Sequence, residues 1–261
     1  MARIARIVIP EVPHHGEIGD SHPFFLDLCR CWRCHFVMAR IARIVIPEVP
    51  HHVTHRGNNG QDVFFVNDGR AMYLDLLRRY CEASGLEMVG YCLMTNHVHL
   101  IARPSSEQSL ARAIGRTHFL YTQCINRLHG RSGHLWQNRF YSCALDEAHL
   151  WSALRYVERN PVRAKMVRAA WEYAWSSAAA HCGGSDPTGL IRMDRWRELS
   201  EGLNWREMLR EPEDAEDARR LRLHTHTGRP LGSDRFLSKV ELAMGRRVRA
   251  LSVGRPRKVK E

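Results

Sequence analysis

No apolar run in this sequence approaches the roughly 20 residues of a membrane-spanning helix, so no such helix and no membrane partner are expected. A secretory signal is not expected either. Arg3 and Arg6 stand near the start, but the apolar stretch beside them is short and stops at Pro10. Acidic side chains are the minority: 28 Asp and Glu stand against 39 Lys and Arg, a formal charge of +11. That balance favours polyanionic partners, nucleic acid first. A disulfide framework is also missing. Of the cysteines at 29, 31, 34, 81, 92, 124, 143 and 182, four of the last five lie in apolar segments, where a free thiol packs as a small hydrophobe. A reducing cytoplasm is the expected setting.

What is present begins with a direct repeat. MARIARIVIPEVPHH occurs at 1–15 and again at 38–52. Fifteen identical residues are no coincidence, yet two short copies do not make a repeat architecture. Only the second copy runs on into a patterned domain. We therefore read 1–37 as an N-terminal extension outside the fold and Met38 as the natural start. The extension holds Cys29, Cys31, Cys34 and His35. This cluster matches a c-type haem attachment pattern and hints at zinc. Haem attachment requires export, and a zinc site requires further ligands.

From Met38 the periodicity alternates. Ile41 to Val53 reads as a strand broken by prolines, which suits a sheet edge. Gly57-Asn58-Asn59-Gly60 is a turn, and Val63 to Val66 a short strand. A helix is expected over 69–84, with Tyr73, Leu76, Leu77 and Tyr80 in phase and Gly85 as its stop. Residues 87–94 and His97 to Ala102 read as an antiparallel hairpin around Thr95-Asn96. A long helix over 107–128 carries Leu110, Ile114, Tyr121, Ile125 and Leu128 as its apolar stripe. A strand at 139–145 follows, then a helix capped by Asp146 with Leu150, Ala153, Leu154 and Val157 in phase. Asn160-Pro161 ends that helix and begins another, and Trp171 and Trp175 are expected to close the core. The sum is an α+β sandwich over 38–181. Residues 182–221 read as a linker followed by the acidic run 211–217, a solvated helix start. Residues 222–261 read as a basic tail.

Three groups can carry chemistry. In His97-Val98-His99, strand geometry points both imidazoles to one face, where they can converge on one metal ion. With 16 histidines in 261 residues about one such pair arises by chance, and another does stand at His224-Thr225-His226, in the tail. A buried, hydrogen-bonded pair is the competing reading. In Tyr156-Val157-Glu158-Arg159-Asn160, positions 156 and 160 share a helix face. Tyr156 sits roughly 120° off the apolar stripe at 100° per residue, where its hydroxyl can face a cleft. Asn160 is equally a helix cap before proline. Finally Arg139, Arg155, Arg159, Arg163 and Arg168, with Trp136 and Phe140, suit phosphate binding and base stacking. They suit a solvated helix face with Trp136 in the core equally well.

Taken in order, HHVTHRGNN (51–59), YCLMTNHVHLIARP (91–104), LWQNRFYSCAL (135–145), LRYVERNPVRAKMV (154–167), WSSAAAH (175–181), TGRPLGSDRF (227–236) and GRPRK (254–258) resemble the REP-associated tyrosine transposases, single-tyrosine members of the HUH endonucleases. The resemblance covers about 38–261. It implies a ferredoxin-like or RRM-like antiparallel sheet with packed helices. It also implies metal-dependent cleavage and rejoining of single-stranded DNA at palindromic hairpins, at the nucleoid, through a 5′-phosphotyrosine. Tyr156 matches the nucleophile. His97, His99 and Asn160 match the ligands of Mg²⁺ or Mn²⁺, although relatives that mobilise simple insertion sequences carry Gln at the third position. DNA contacts are expected from Arg56 and Asn58, from the arginine group with Trp136, and from Arg255 and Arg257. Monomer and homodimer both fit. The rival is a domesticated palindrome-binding protein that no longer cleaves.

Overall fold

A computed structural model describes residues 43–250. The repeat's first copy, the extension 1–37 with its cysteine cluster, and Arg255 and Arg257 lie outside the described residues.

Four strands form one antiparallel sheet in the order β2-β3-β1-β4: β1 (His51–Arg56), β2 (Leu86–Leu93), β3 (His97–Pro104) and β4 (Tyr141–Ala144). With α1 (Asn67–Ser84) after β1 and α2 (Ser109–Leu128) after β3, the chain runs βαββαβ, the ferredoxin-like arrangement. The α+β reading therefore holds. One expectation needs correcting: β1 is an interior strand, flanked by β3 and β4. Pro47 and Pro50 lie just before it, so the proline-free stretch from His51 has every N–H available for two ladders. Val63 to Val66 is not a strand. The Val63 and Phe64 amides both donate to the Thr95 carbonyl, which pins this loop under the β2–β3 turn.

Helices α1 and α2 cover one sheet face, the one bearing Val53, Val98 and Leu100, through Tyr73, Leu77, Leu110, Ile114 and Tyr121. Gly85, in the left-handed region at φ 59°, ends α1 as its pattern requires. Leu128, placed on the α2 stripe by periodicity, is 71% exposed as the last residue of that helix. The other sheet face carries Ile101 and Cys143 and receives α3 (Glu147–Glu158), capped by Asp146, which accepts from the His149 amide. Close approach of α3 depends on Gly90. A methyl group there would sit 2.3 Å from Leu154 Cδ1 and 3.2 Å from Ser177 Oγ. Short α4 (Asn160–Arg163) and α5 (Ala178–His181) follow, and Trp171 and Trp175 pack partly buried against this core.

Residues 182–221 are not a linker. They form α6 (Met193–Leu199), α7 (Trp205–Arg210) and the start of α8 (Ala215–Thr227), and Trp196, Trp205, Leu209 and Leu221 are buried in the α3 core. The basic segment likewise folds through residue 250. Thr225 of α8 and Leu231 are buried against β1 and β4, and α9 (Asp234–Met244) packs Val240 against Ile44. Large aromatic and leucine side chains at helical spacing outweigh the polar composition on which the tail reading rested. Cys81, Cys92 and Cys143 are buried free thiols, as their apolar settings suggest.

Candidate metal centre

β3 places His97 and His99 on the α3 face, because alternate strand residues share a side. Their ring centroids are 5.0 Å apart at an interplanar angle of 86°. Each ring is held by its Nδ1. For His97 the partner is Asn96 Oδ1 at 2.7 Å, while Asn96 Nδ2 donates to the Gly60 carbonyl at 3.1 Å. That second bond fixes the amide, so Nδ1 of His97 must carry the proton and Nε2 keeps its lone pair. For His99 the partner is His52 Nε2 at 2.9 Å. Burial is the first cause holding both rings well below the usual histidine range, His97 at about 4. Neutral imidazoles with free Nε2 atoms are the form that binds metal.

Asn160 lies beside the pair. Its Nδ2 donates toward His97 Nε2 at 3.4 Å, a contact that reaches back 63 positions in sequence, and its Oδ1 is the atom that could face an ion. The capping alternative fails: Arg159 occupies the cap position of α4 and no side chain caps that helix. Asn160 is 7% exposed and turned to the histidines. Among the described residues no three His, Cys, Asp or Glu form a metal-holding group, so an ion held here would take two imidazoles and an amide. That set fits a divalent ion whose remaining positions are filled by oxygen.

Tyr156 meets this group edge-on. Its ring centroid is 5.6 Å from that of His99 and 6.1 Å from that of His52, and the Arg163 guanidinium lies 4.2 Å from its centre. Tyr156 is not set apart from the apolar stripe: at 6% exposure it is buried in the same core as Leu150, Ala153, Leu154 and Val157, and its ring does not face an open cleft. A small cavity beside it is lined by Ser152, Arg155, Glu213, Asp214, Asp217 and Leu221.

The expected basic and aromatic group divides in two. Arg155, Arg159 and Arg163 surround Tyr156 and bind residues 209–213. Arg155 donates to the Glu211 and Pro212 carbonyls, Arg159 to the Leu209 carbonyl, and Glu213 pairs with Arg163 at 2.5 Å and with Arg159 at 3.5 Å. The acidic run does open a helix, with Asp214 capping α8, but its Glu213 is also a counter-charge to these arginines. Arg139 and Phe140 lie apart, in a cavity with Arg43, His55 and His118 beside α2. Trp136 is no stacking platform: it is 6% exposed, with its ring stacked at 4.9 Å on His55 and 4.4 Å on His118. Arg168 is exposed on the short loop after α4. Arg56 is the register partner of His97, and Asn58 opens the adjoining turn, so both stand at the rim of the histidine pair. The second His-x-His is on α8, not in a mobile tail, and its members diverge: His224 bonds the Pro230 carbonyl while His226 stacks on Tyr141.

Sequence reasoning overlooked His52 and Glu158. His52 is on the same face as His99 by the period-two pattern of β1, but its partner is set by strand register, which the sequence does not display. Glu158 is fully buried and accepts from Ser177 Oγ and His181 Nδ1, each at 2.5 Å, and from Trp205 Nε1 at 2.8 Å. A carboxylate inside an apolar helix stripe was the available signal.

Residues 48–160 match the family model described as IS200-like transposase. Among solved structures, a REP-associated tyrosine transposase bound to a REP hairpin overlays with a TM-score of 0.49 at 16% identity, over 60% of this chain and 90% of that one. A protein named as a transposase from Deinococcus radiodurans R1 gives 0.33 at 18% identity, over 48% of this chain and 90% of that one. At these values the overlays assign no residue a role. No curated protein matches the sequence.

Proposed function

Residues 48–160 of this chain belong to the IS200-like transposases, and from that premise we propose a metal-dependent endonuclease and strand-transfer enzyme for single-stranded DNA. Its substrates are palindromic hairpin elements, as the ordered sequence resemblance implies, and the net charge of +11 suits them. The observation that carries the reading is the proximity of two imidazoles, one amide and one tyrosine ring: His97, His99, Asn160 and Tyr156.

The chemistry follows from what these groups offer. A bound Mg²⁺ or Mn²⁺ would polarise the scissile phosphate and orient it for in-line attack. His97, His99 and Asn160 would hold the ion. Imidazole ligands favour Mn²⁺ over Mg²⁺ in affinity. Tyr156 Oη forms the new bond to phosphorus as the bond to the 3′ oxygen breaks. The phenol proton is lost and the 3′ oxygen gains one, leaving a 5′-phosphotyrosine and a free 3′-OH. One phosphodiester replaces another, so attack by a 3′-OH rejoins DNA without a nucleoside triphosphate. Arg163 and Arg222, 4.2 and 6.0 Å from the Tyr156 ring centre, would supply positive charge near the reacting group. Arg56 and Asn58, at the rim, would contact the bases that flank the hairpin.

A second reading, a palindrome-binding protein that no longer cleaves, draws support from the burial of Tyr156 and from the pairing of Arg163 with Glu213. A denaturing gel of the protein with end-labelled single-stranded hairpin and Mn²⁺ separates the two. The enzyme gives a protein-linked DNA band that Tyr156→Phe abolishes while hairpin binding persists. Absence of that band from the wild type selects the binding protein, and an adduct that survives Tyr156→Phe removes Tyr156 from the role.

A further inference from the structure

We infer that His52 is a positioning residue: through a chain of hydrogen bonds ending on Thr225 of the C-terminal helix α8, it holds His99 in the tautomer whose Nε2 is free for the metal. The inference rests on the reading of His97 and His99 as metal ligands.

The direction of the chain follows from its far end. Thr225 Oγ1 donates its one proton to the Leu221 carbonyl at 2.7 Å, the usual back-bond of a threonine within a helix. The same oxygen therefore accepts from His52 Nδ1, 2.7 Å away. Once Nδ1 carries the proton, neutral His52 has only a lone pair on Nε2. That lone pair faces His99 Nδ1 at 2.9 Å, so His99 is the donor and its own Nε2 is left unprotonated. Each member is more than nine-tenths buried: His52 is 1% exposed, Thr225 2% and His99 7%. Water is thus a poor substitute for any partner. The His52 and His99 rings are nearly coplanar, with centroids 5.2 Å apart at 11°, as a bond joining them edge to edge requires. Cys143 Sγ, 3.2 Å from Thr225 Oγ1, offers a further donor to the same oxygen and leaves the direction unchanged.

His97 reaches the same state by another route, through Asn96. The two ligands are oriented independently, one by its own turn and the other by a helix more than 100 positions downstream. A ligating histidine commonly donates its second N–H to an oxygen acceptor, and loss of that partner costs about 10- to 100-fold in metal affinity. Here the acceptor is another imidazole, which serves only while Thr225 fixes its proton.

The test uses the full-length protein in two measurements. Long-range ¹H–¹⁵N spectra of the metal-free protein at pH 7.5 report each neutral histidine's tautomer, with His52 and His99 assigned from their own substitutions. Titration calorimetry gives the affinity for Mn²⁺. We expect the Nδ1–H tautomer for both residues in the wild type. His52→Leu should lose it at His99 and bind Mn²⁺ about 10- to 100-fold more weakly. His52→Gln, whose amide can accept from His99 and donate to Thr225, should stay within about threefold of the wild type. Thr225→Val is nearly isosteric and keeps the core filled. It should release the His52 proton to Nε2, turn His99 over, and weaken Mn²⁺ binding by about tenfold. This variant decides the matter where His52→Leu does not fold. Unchanged His99 tautomer and Mn²⁺ affinity in a folded His52→Leu or Thr225→Val protein overturns the inference, as does His52→Gln behaving like His52→Leu. A wild type that binds no Mn²⁺ removes the metal reading instead, and the tautomer spectra still decide whether His52 sets His99.

Discussion

Acidification should unfold this protein well before its carboxylates protonate. Four histidines carry the effect, three of them buried and His97 partly so: desolvation lowers His51, His55 and His97 to about 4 and His52 to about 3. In the unfolded chain the same groups protonate near 6.5. The folded values lie lower, so below pH 6.5 the unfolded state binds protons that the folded state refuses. Stability is therefore complete above about pH 6.5 and falls as pH drops toward the folded values near 4. At pH 5.5 each such histidine has cost about 1.4 kcal/mol, and four together about 5 to 6 kcal/mol. That approaches the whole stability of an ordinary domain, about 5–15 kcal/mol. His99 and His118, lowered for the same reason, act in the same direction. Urea unfolding followed by tryptophan fluorescence, in chelator at pH 7.5, 6.5 and 5.5, measures the loss directly. A change below about 1 kcal/mol between pH 7.5 and 5.5 would falsify the description of these histidines as buried and neutral.

Three further expectations follow from the site and the core. Asn160→Ala should weaken Mn²⁺ binding about 10-fold or more while Asn160→Asp, which adds a charged oxygen ligand, should strengthen it; calorimetry that finds the two alike removes Asn160 from the ligand set. Trp136→Ala should cost about 3–5 kcal/mol in urea unfolding, as expected of a core aromatic rather than a surface platform for bases. Truncation after Ala250 removes Arg255, Arg257, Lys258 and Lys260 and leaves the packed helices intact. If these residues bind phosphate, the slope of log K against log salt should flatten by about 0.7 to 0.9 for each phosphate no longer neutralised, and an unchanged slope excludes them. A cut before Arg222 is the wrong test, since it strips Thr225 and Leu231 from the core.

Local patterns were legible because local rules make them. The capped start of α3, the glycine stop of α1 and the β2–β3 hairpin depend on residues a few positions apart. The strand at His51 was misplaced in the sheet because prolines before a strand resemble prolines within it. The region after residue 181 was misjudged because its polar composition hid buried tryptophans, whose value depends on a core that only folding supplies.

The sequence by itself determined the two imidazoles on one strand face, since that follows from the period of 2.0; its placing of Tyr156 and Asn160 on one helix met a break at Arg159, where α3 ends and α4 begins. It could not choose between ligand and cap for Asn160, because both roles use the same amide at the same position. The tertiary structure places the Asn160 side chain beside His97 and leaves α4 without a side-chain cap. Nor could the sequence show that Tyr156 is buried or that its arginines are matched by Glu213. Least legible was His52, whose two partners stand 47 and 173 positions away. Hydrogen bonds over such separations exist only once strand register and helix docking are fixed, and the tautomer they impose on His99 is a property of the folded chain alone.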